Sequence, residues 1–107
     1  MTNYVLLYTG GIGMESTPEE QQQIMAEWNT WYEKMGAAVV DGGNPFSPDV
    51  RSYDETGALH HGAVGVPATG YTIISADSLD AASEKCRDHP HIKHGGQVSI
   101  YETFQVG

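Results

Sequence analysis

Three histidines, His89, His91 and His94, stand within six residues in the segment DHPHIKHGG, Asp88 to Gly96, of a chain that has five histidines in all. An imidazole changes charge near neutral pH, so a cluster of this kind can ligate a metal, move a proton or bond the free carbonyls at a helix end. The His89-x-His91 spacing could chelate from an extended segment, and His94 could swing in through a turn. No Cys pair, no HExxH pattern and no carboxylate at a fixed offset accompanies it. Asp88 is adjacent but reads as helical and exposed. No metal site and no cofactor are therefore expected.

The proton-transfer reading needs a carboxylate beside an imidazole. Asp41 is the suggestive one. It ends a short apolar strand, AAVVD (Ala37–Asp41), before two glycines that let backbone approach a ligand closely. The expected catalytic pair is Asp41 and His91, with His91 as base and Asp41 orienting it; Asn44 and His61 are expected to line a substrate pocket. The plain alternative for Asp41 is an aspartate bonding its own turn. For His89 and His94 the expected role is to bond the carbonyls at the end of the preceding helix. His60 and His61 are adjacent on a hairpin strand, so at most one can enter a pocket.

The elements that must position these groups are legible from periodicity. NYVLLYT (Asn3–Thr9) reads as a strand apolar on both parities, with Tyr4, Leu6 and Tyr8 on one side and Val5 and Leu7 on the other. Thr17-Pro18-Glu19-Glu20 predicts a helix start with a threonine cap and proline in the first turn. That helix should run to Met35, stop at Gly36, and bury a stripe of Ile24, Trp28, Trp31 and Met35, widened by Met25 and Tyr32. A long irregular stretch, Asn44–Gly70, holds a small hairpin in which VRSY and ALHH flank DETG. YTIISA (Tyr71–Ala76) is a third main strand. Asp77 or Ser78 caps a second helix carrying Leu79, Ala82 and Cys86 and ending near Asp88, because Pro90 disfavours helical geometry at His89. Gln97–Val106 is the last strand. Ser16, Ser47 and Cys86 lack the context of a nucleophile, and GGIG lacks the lysine of a phosphate loop.

Composition narrows the class. The 107 residues make one domain, 1–107. A formal charge of −9, with five bases against 14 acids, argues against nucleic acid and against an anionic membrane surface as partners. One cysteine cannot form an internal disulfide, which fits a reducing compartment. The opening MTNYVLLYTGG has no basic region and no long apolar run, so a soluble, cytoplasmic protein is expected.

The order β-α-β-hairpin-β-α-β predicts an α+β fold of ferredoxin-like βαββαβ type: a four-stranded antiparallel sheet, two helices on one face, and a hairpin inserted between strands two and three. Two helices cover one face, yet the first strand is apolar on both. A second copy packed on the open face, a homodimer, follows from that pattern.

Four stretches carry a resemblance to a known family. YVLLYTG, TPEEQQQIMAEWNTWYEKMGAAVVDGGNPFSP, GYTIISADSLDAASEKC and HPHIKHGGQVSIYETF together resemble the YCII-related family and its larger DGPF-type relatives. The resemblance implies a dimeric α+β barrel. It also implies a histidine–aspartate pair in a pocket, and some relatives are dehalogenating lyases acting on halogenated aromatic ring products. Asp41 matches the family's aspartate after the second strand, and His91 matches the histidine of the closing segment. The chain departs from the pattern in two places. Its first helix contains no histidine, and the DGPF tetrapeptide is replaced by HGAVGVP. The function expected is a lyase or isomerase acting on a small cyclic or aromatic compound through a His–Asp acid–base pair. The alternatives are a homodimer that holds a metabolite without catalysis and, third, a dimer that binds metal through His89, His91 and His94.

Overall fold

The structure is a computed structural model and describes residues 1–11 and 17–106. The chain runs β1 (Thr2–Gly10), α1 (Pro18–Met35), a single 3₁₀ turn (Gly36–Ala38), β2 (Val39–Asp41), β3 (Ser52–Tyr53), β4 (Leu59–His60), β5 (Ala68–Ala76), α2 (Leu79–Lys85), α3 (Pro90–Lys93) and β6 (Gly96–Glu102). Four strands form one antiparallel sheet in the order β2-β5-β1-β6. The fold is α+β and compatible with a ferredoxin-like arrangement.

The parity of β1 decides which side is core. Tyr4, Leu6 and Tyr8 are buried, as are Thr72, Ile74 and Ala76 on β5. They meet Trp31 and Met35 of α1 and Ala82 and Cys86 at α2. The start of α1 follows its local chemistry: Thr17 Oγ1 accepts from the Glu20 N–H at 3.2 Å, and Pro18 occupies the first turn. Trp28 and Tyr32 pack on the core as the stripe requires, but Met25 is 67% exposed and does not widen it. Ser78 caps α2 by accepting from the Ala81 N–H.

The other parity is left without helices. Val5 pairs with Ile73 and Leu7 with Tyr71, and these four are only half-buried. The molecule is correspondingly flat, with extents of 45 × 43 × 18 Å.

Residues 44–67 leave the sheet as an arm. It is tied at its base by the Phe46 N–H to the Thr69 carbonyl (2.8 Å). At its tip Ser52 pairs with His60 and Tyr53 with Leu59. Asp54 builds the expected turn: its Oδ1 accepts from the N–H groups of Thr56 and Ala58. The hairpin strands are two residues each, shorter than VRSY and ALHH suggest. The third main strand starts earlier, at Ala68, and the last stops at Glu102, before Phe104 and Val106.

The region after α2 differs most from expectation. The helix stops at Lys85, and Pro90 opens a further turn of helix, α3. A proline at the first helical position has no N–H to lose and a ready-made φ, so the residue that ends one helix also starts the next. His89, extended at φ −61° and ψ 134°, sits at that junction.

Candidate functional site

The three histidines separate into three environments. His89 is completely buried. Its ring lies among Trp28, Trp31 and Tyr8, with centroids 4.6, 4.4 and 5.1 Å away. The His89 backbone N–H donates to the Cys86 carbonyl at the end of α2 at 3.1 Å, but the ring bonds no carbonyl there. Its Nδ1 accepts from the His91 N–H at 3.0 Å, and so caps the start of α3. That bond determines the tautomer: a nitrogen that accepts carries no hydrogen, so the proton is on Nε2. Nε2 then donates to the Tyr8 hydroxyl at 3.0 Å. Tyr8 donates to Thr72 Oγ1 (2.7 Å), and Thr72 donates to the Gly42 carbonyl (3.2 Å), where the Tyr32 hydroxyl also donates (2.9 Å). A buried chain of hydrogen bonds thus joins the cap of α3 to the loop that follows Asp41.

His89 and Tyr8 are both neutral at pH 7. Burial, reinforced by the neighbouring His91, pushes His89 down to about 4, and burial pushes the Tyr8 hydroxyl up. The chain fixes geometry and carries no charge.

His91 is half-buried on the next turn. Its Nε2 lies 2.8 Å from the Thr9 carbonyl, which can only accept, so Nε2 holds the hydrogen. The ring sits over Tyr8, with centroids 5.1 Å apart. A Cβ added at Gly11 or at Gly96 would run into the imidazole. Two glycines therefore form a slot whose width only they permit. In the neutral ring, with Nε2–H on Thr9, the lone pair is on Nδ1, which has no hydrogen bond among the described residues.

Asp41 is exposed at the edge of the sheet, opposite Ile73. Its Oδ1 accepts from the Gly43 N–H at 2.8 Å, an aspartate bonding its own turn. Gly43 has φ +71° and presses on the Tyr71 carbonyl so closely that no side chain fits. Among the described residues no hydrogen bond joins Asp41 to His91. Asn44 and His61 are both exposed.

The carboxylate that meets a clustered histidine is Glu27 of α1. Its Oε2 is 2.8 Å from His94 Nε2, and its Oε1 is 3.2 Å from Lys93 Nζ. The His94 bond, with help from Lys93, holds the Glu27 carboxyl below its ordinary range. His94 does lie at a helix end, but it is the end of α3. A second pair, His60 with Asp54 at 2.6 Å, braces the arm tip. Among the described residues no group of three or more His, Cys, Asp or Glu side chains could hold a metal ion.

Thr9, Tyr8, Thr72 and Glu27 were not singled out by sequence reasoning. Two signals point to them. A tyrosine on the core parity of a strand must find a partner for its hydroxyl, and Thr72 shares that parity on the neighbouring strand. Glu27 lies four residues before Trp31, on the flank of the apolar stripe. Two surface depressions, of about 340 and 510 Å³, lie between α1 and α3 and along the arm; neither is lined by Asp41 or His91.

A scan against protein-family models matches none, and comparison with curated proteins gives no match. No helix among the described residues is long and apolar enough to cross a membrane.

Proposed function

We propose that the chain is a small-molecule enzyme of lyase or isomerase type, acting by proton transfer with His91 as the base. One observation carries this reading. The imidazole is held in a two-glycine slot with its Nε2–H on the Thr9 carbonyl, so its lone pair is presented on Nδ1. A base must have one tautomer and one orientation, and the backbone supplies both. In this reading the Thr9 carbonyl orients the ring and Asp41 supplies the carboxylate through Oδ2, which has no hydrogen bond among the described residues. The resemblance to the YCII-related family suggests a cyclic or aromatic substrate.

The functional unit proposed is a homodimer. A folded protein of 11.6 kDa exposes roughly 5,800 Å²; this chain exposes 7484 Å². A compact chain of this length has a radius of gyration near ~13 Å; here it is 15.2 Å. The half-buried Val5, Leu7, Tyr71 and Ile73 supply an apolar face for a second copy. Pairing of two sheets in this way would also give the dimeric α+β barrel.

The second reading, a homodimer that binds a metabolite without catalysis, is favoured by the Asp41 carboxylate being turned to its own loop. Deuterium separates the two. In D₂O, a panel of small cyclic ketones, hydroxyacids and halogenated phenols should include compounds that take up solvent deuterium or release halide. His91→Gln should abolish that turnover while leaving the melting temperature close to that of the parent. Binding without exchange in the parent chain supports the second reading; exchange undiminished in His91→Gln removes His91 from the mechanism.

A further inference from the structure

The arm presents large apolar side chains to solvent with nothing in its own chain to cover them. Tyr53, Leu59, Val64 and Val66 are 73, 50, 55 and 74% exposed. Phe46, at the arm's base, stacks on Tyr71 with ring centroids 5.8 Å apart. Tyr71 belongs to the uncovered sheet face, so arm and face form one continuous apolar surface. The sequence is unusual here too: no Asp, Glu, Lys or Arg occurs from Gly57 to Ala76. The second half of that run is the interior strand β5, where lack of charge is expected. The first half is the exposed return of the arm, where it is not.

We propose that the arm is an interaction surface covered by a second copy of this chain, wrapped against its partner beside the paired sheets. The inference rests on the homodimer reading and adds a second area of contact to it. Charge selects the occupant. A basic partner would dock where the acids are, which in the arm is the outgoing half and its turn, Asp49, Asp54 and Glu55; the return from Gly57 to Pro67 has none. Two chains of formal charge −9 can approach most readily where charge is absent, and depletion of charge marks the core of protein interfaces. Area agrees. The surplus of surface over a compact monomer is roughly twice the ~800 Å² that each partner contributes to a standard interface. One interface of standard size would therefore leave about half of that surplus exposed. A two-fold contact lets one arm serve both copies, each giving what it receives.

The test uses the full chain. Sedimentation equilibrium should show a dimer for the parent, and Leu59→Ser with Val66→Ser should weaken it by at least roughly tenfold, as loss of buried apolar side chains does. Hydroxyl-radical footprinting of the unmodified chain should show Tyr53 and Leu59 protected above the dimerisation concentration and open below it. If the parent dimerises while the double variant matches it and Tyr53 stays open at every concentration, the arm inference is overturned and the homodimer stands. A parent chain that is monomeric at high micromolar concentration overturns both.

Discussion

The Tyr8 hydroxyl stands 3.0 Å from His89 Nε2 in a fully buried setting, accepting from the imidazole and donating onward to Thr72. This contact ties β1 to the junction between α2 and α3 and so holds the segment that carries His91. Replacing Tyr8 by Phe leaves the His89 N–H buried without an acceptor. The loss of stability should be ~1–3 kcal/mol, read from the urea midpoint at constant slope. An unchanged midpoint would mean that water or a shifted side chain satisfies His89 instead.

Acid should destabilise the fold above the range where carboxylates titrate. His89 is depressed from 6.5 to about 4 in the folded chain, so between those values the unfolded chain binds more protons. Stability then rises with pH across the window, and its contribution is lost as pH falls from 6.5 towards 4. The slope should approach about 1.4 kcal/mol per pH unit, for a total of roughly 3 kcal/mol. His89→Asn keeps a good helix cap and removes the titrating ring, so urea midpoints measured against pH should lose most of this slope.

The slot around His91 should be intolerant of a single methyl group. Gly96→Ala places a Cβ against the imidazole and should cost ~1–3 kcal/mol while displacing the ring from Thr9. The imidazole nitrogen resonances in a long-range ¹H–¹⁵N spectrum report the tautomer, and a change from Nε2–H to a mixture is the expected signature.

Asp41→Asn should leave the melting temperature nearly unchanged, because asparagine can accept the same Gly43 N–H. The measurement that matters is turnover on any compound found to exchange deuterium. A loss there with no loss of stability would give Asp41 a chemical role.

Exhaustive dialysis against a chelator should not shift the melting temperature. A structural metal contributes folding free energy directly, so a large drop that zinc restores would reveal ligands brought together by assembly.

How much of this is legible in the amino-acid sequence depends on the range of the interaction. Thr17 and Ser78 announce their helices because a cap bonds an N–H two or three residues on. The parity of Tyr4, Leu6 and Tyr8 shows through because side chains alternate along a strand whatever its neighbours. The Asp54 turn is equally local. The resemblance to a family likewise rests on short stretches, and the pairing of Asp41 with His91 that it implies is not among the hydrogen bonds of the described residues, where Asp41 bonds the Gly43 N–H and His91 the Thr9 carbonyl.

The site lies beyond that range. His89 meets Tyr8 across 81 residues, His91 meets Thr9 across 82, and His94 meets Glu27 across 67. Asp41 stands out in the sequence as a carboxylate after a strand expected to be buried, but that strand lies at the sheet edge with Val40 exposed, and a carboxylate two residues from a free N–H bonds its own loop before it reaches anything distant. Glu27 accepts locally only from the Gln23 amide, at 3.3 Å on Oε1, and the packing of α3 on α1 brings His94 to its Oε2. Helix caps, turns and periodicity are written within a few residues, so the main strands, α1 and α2 and most of the faces they bury are legible in the chain, whereas α3 is not. Which histidine meets which partner was decided only by the tertiary structure, because that choice depends on how whole elements stack and which polar groups are then left facing one another.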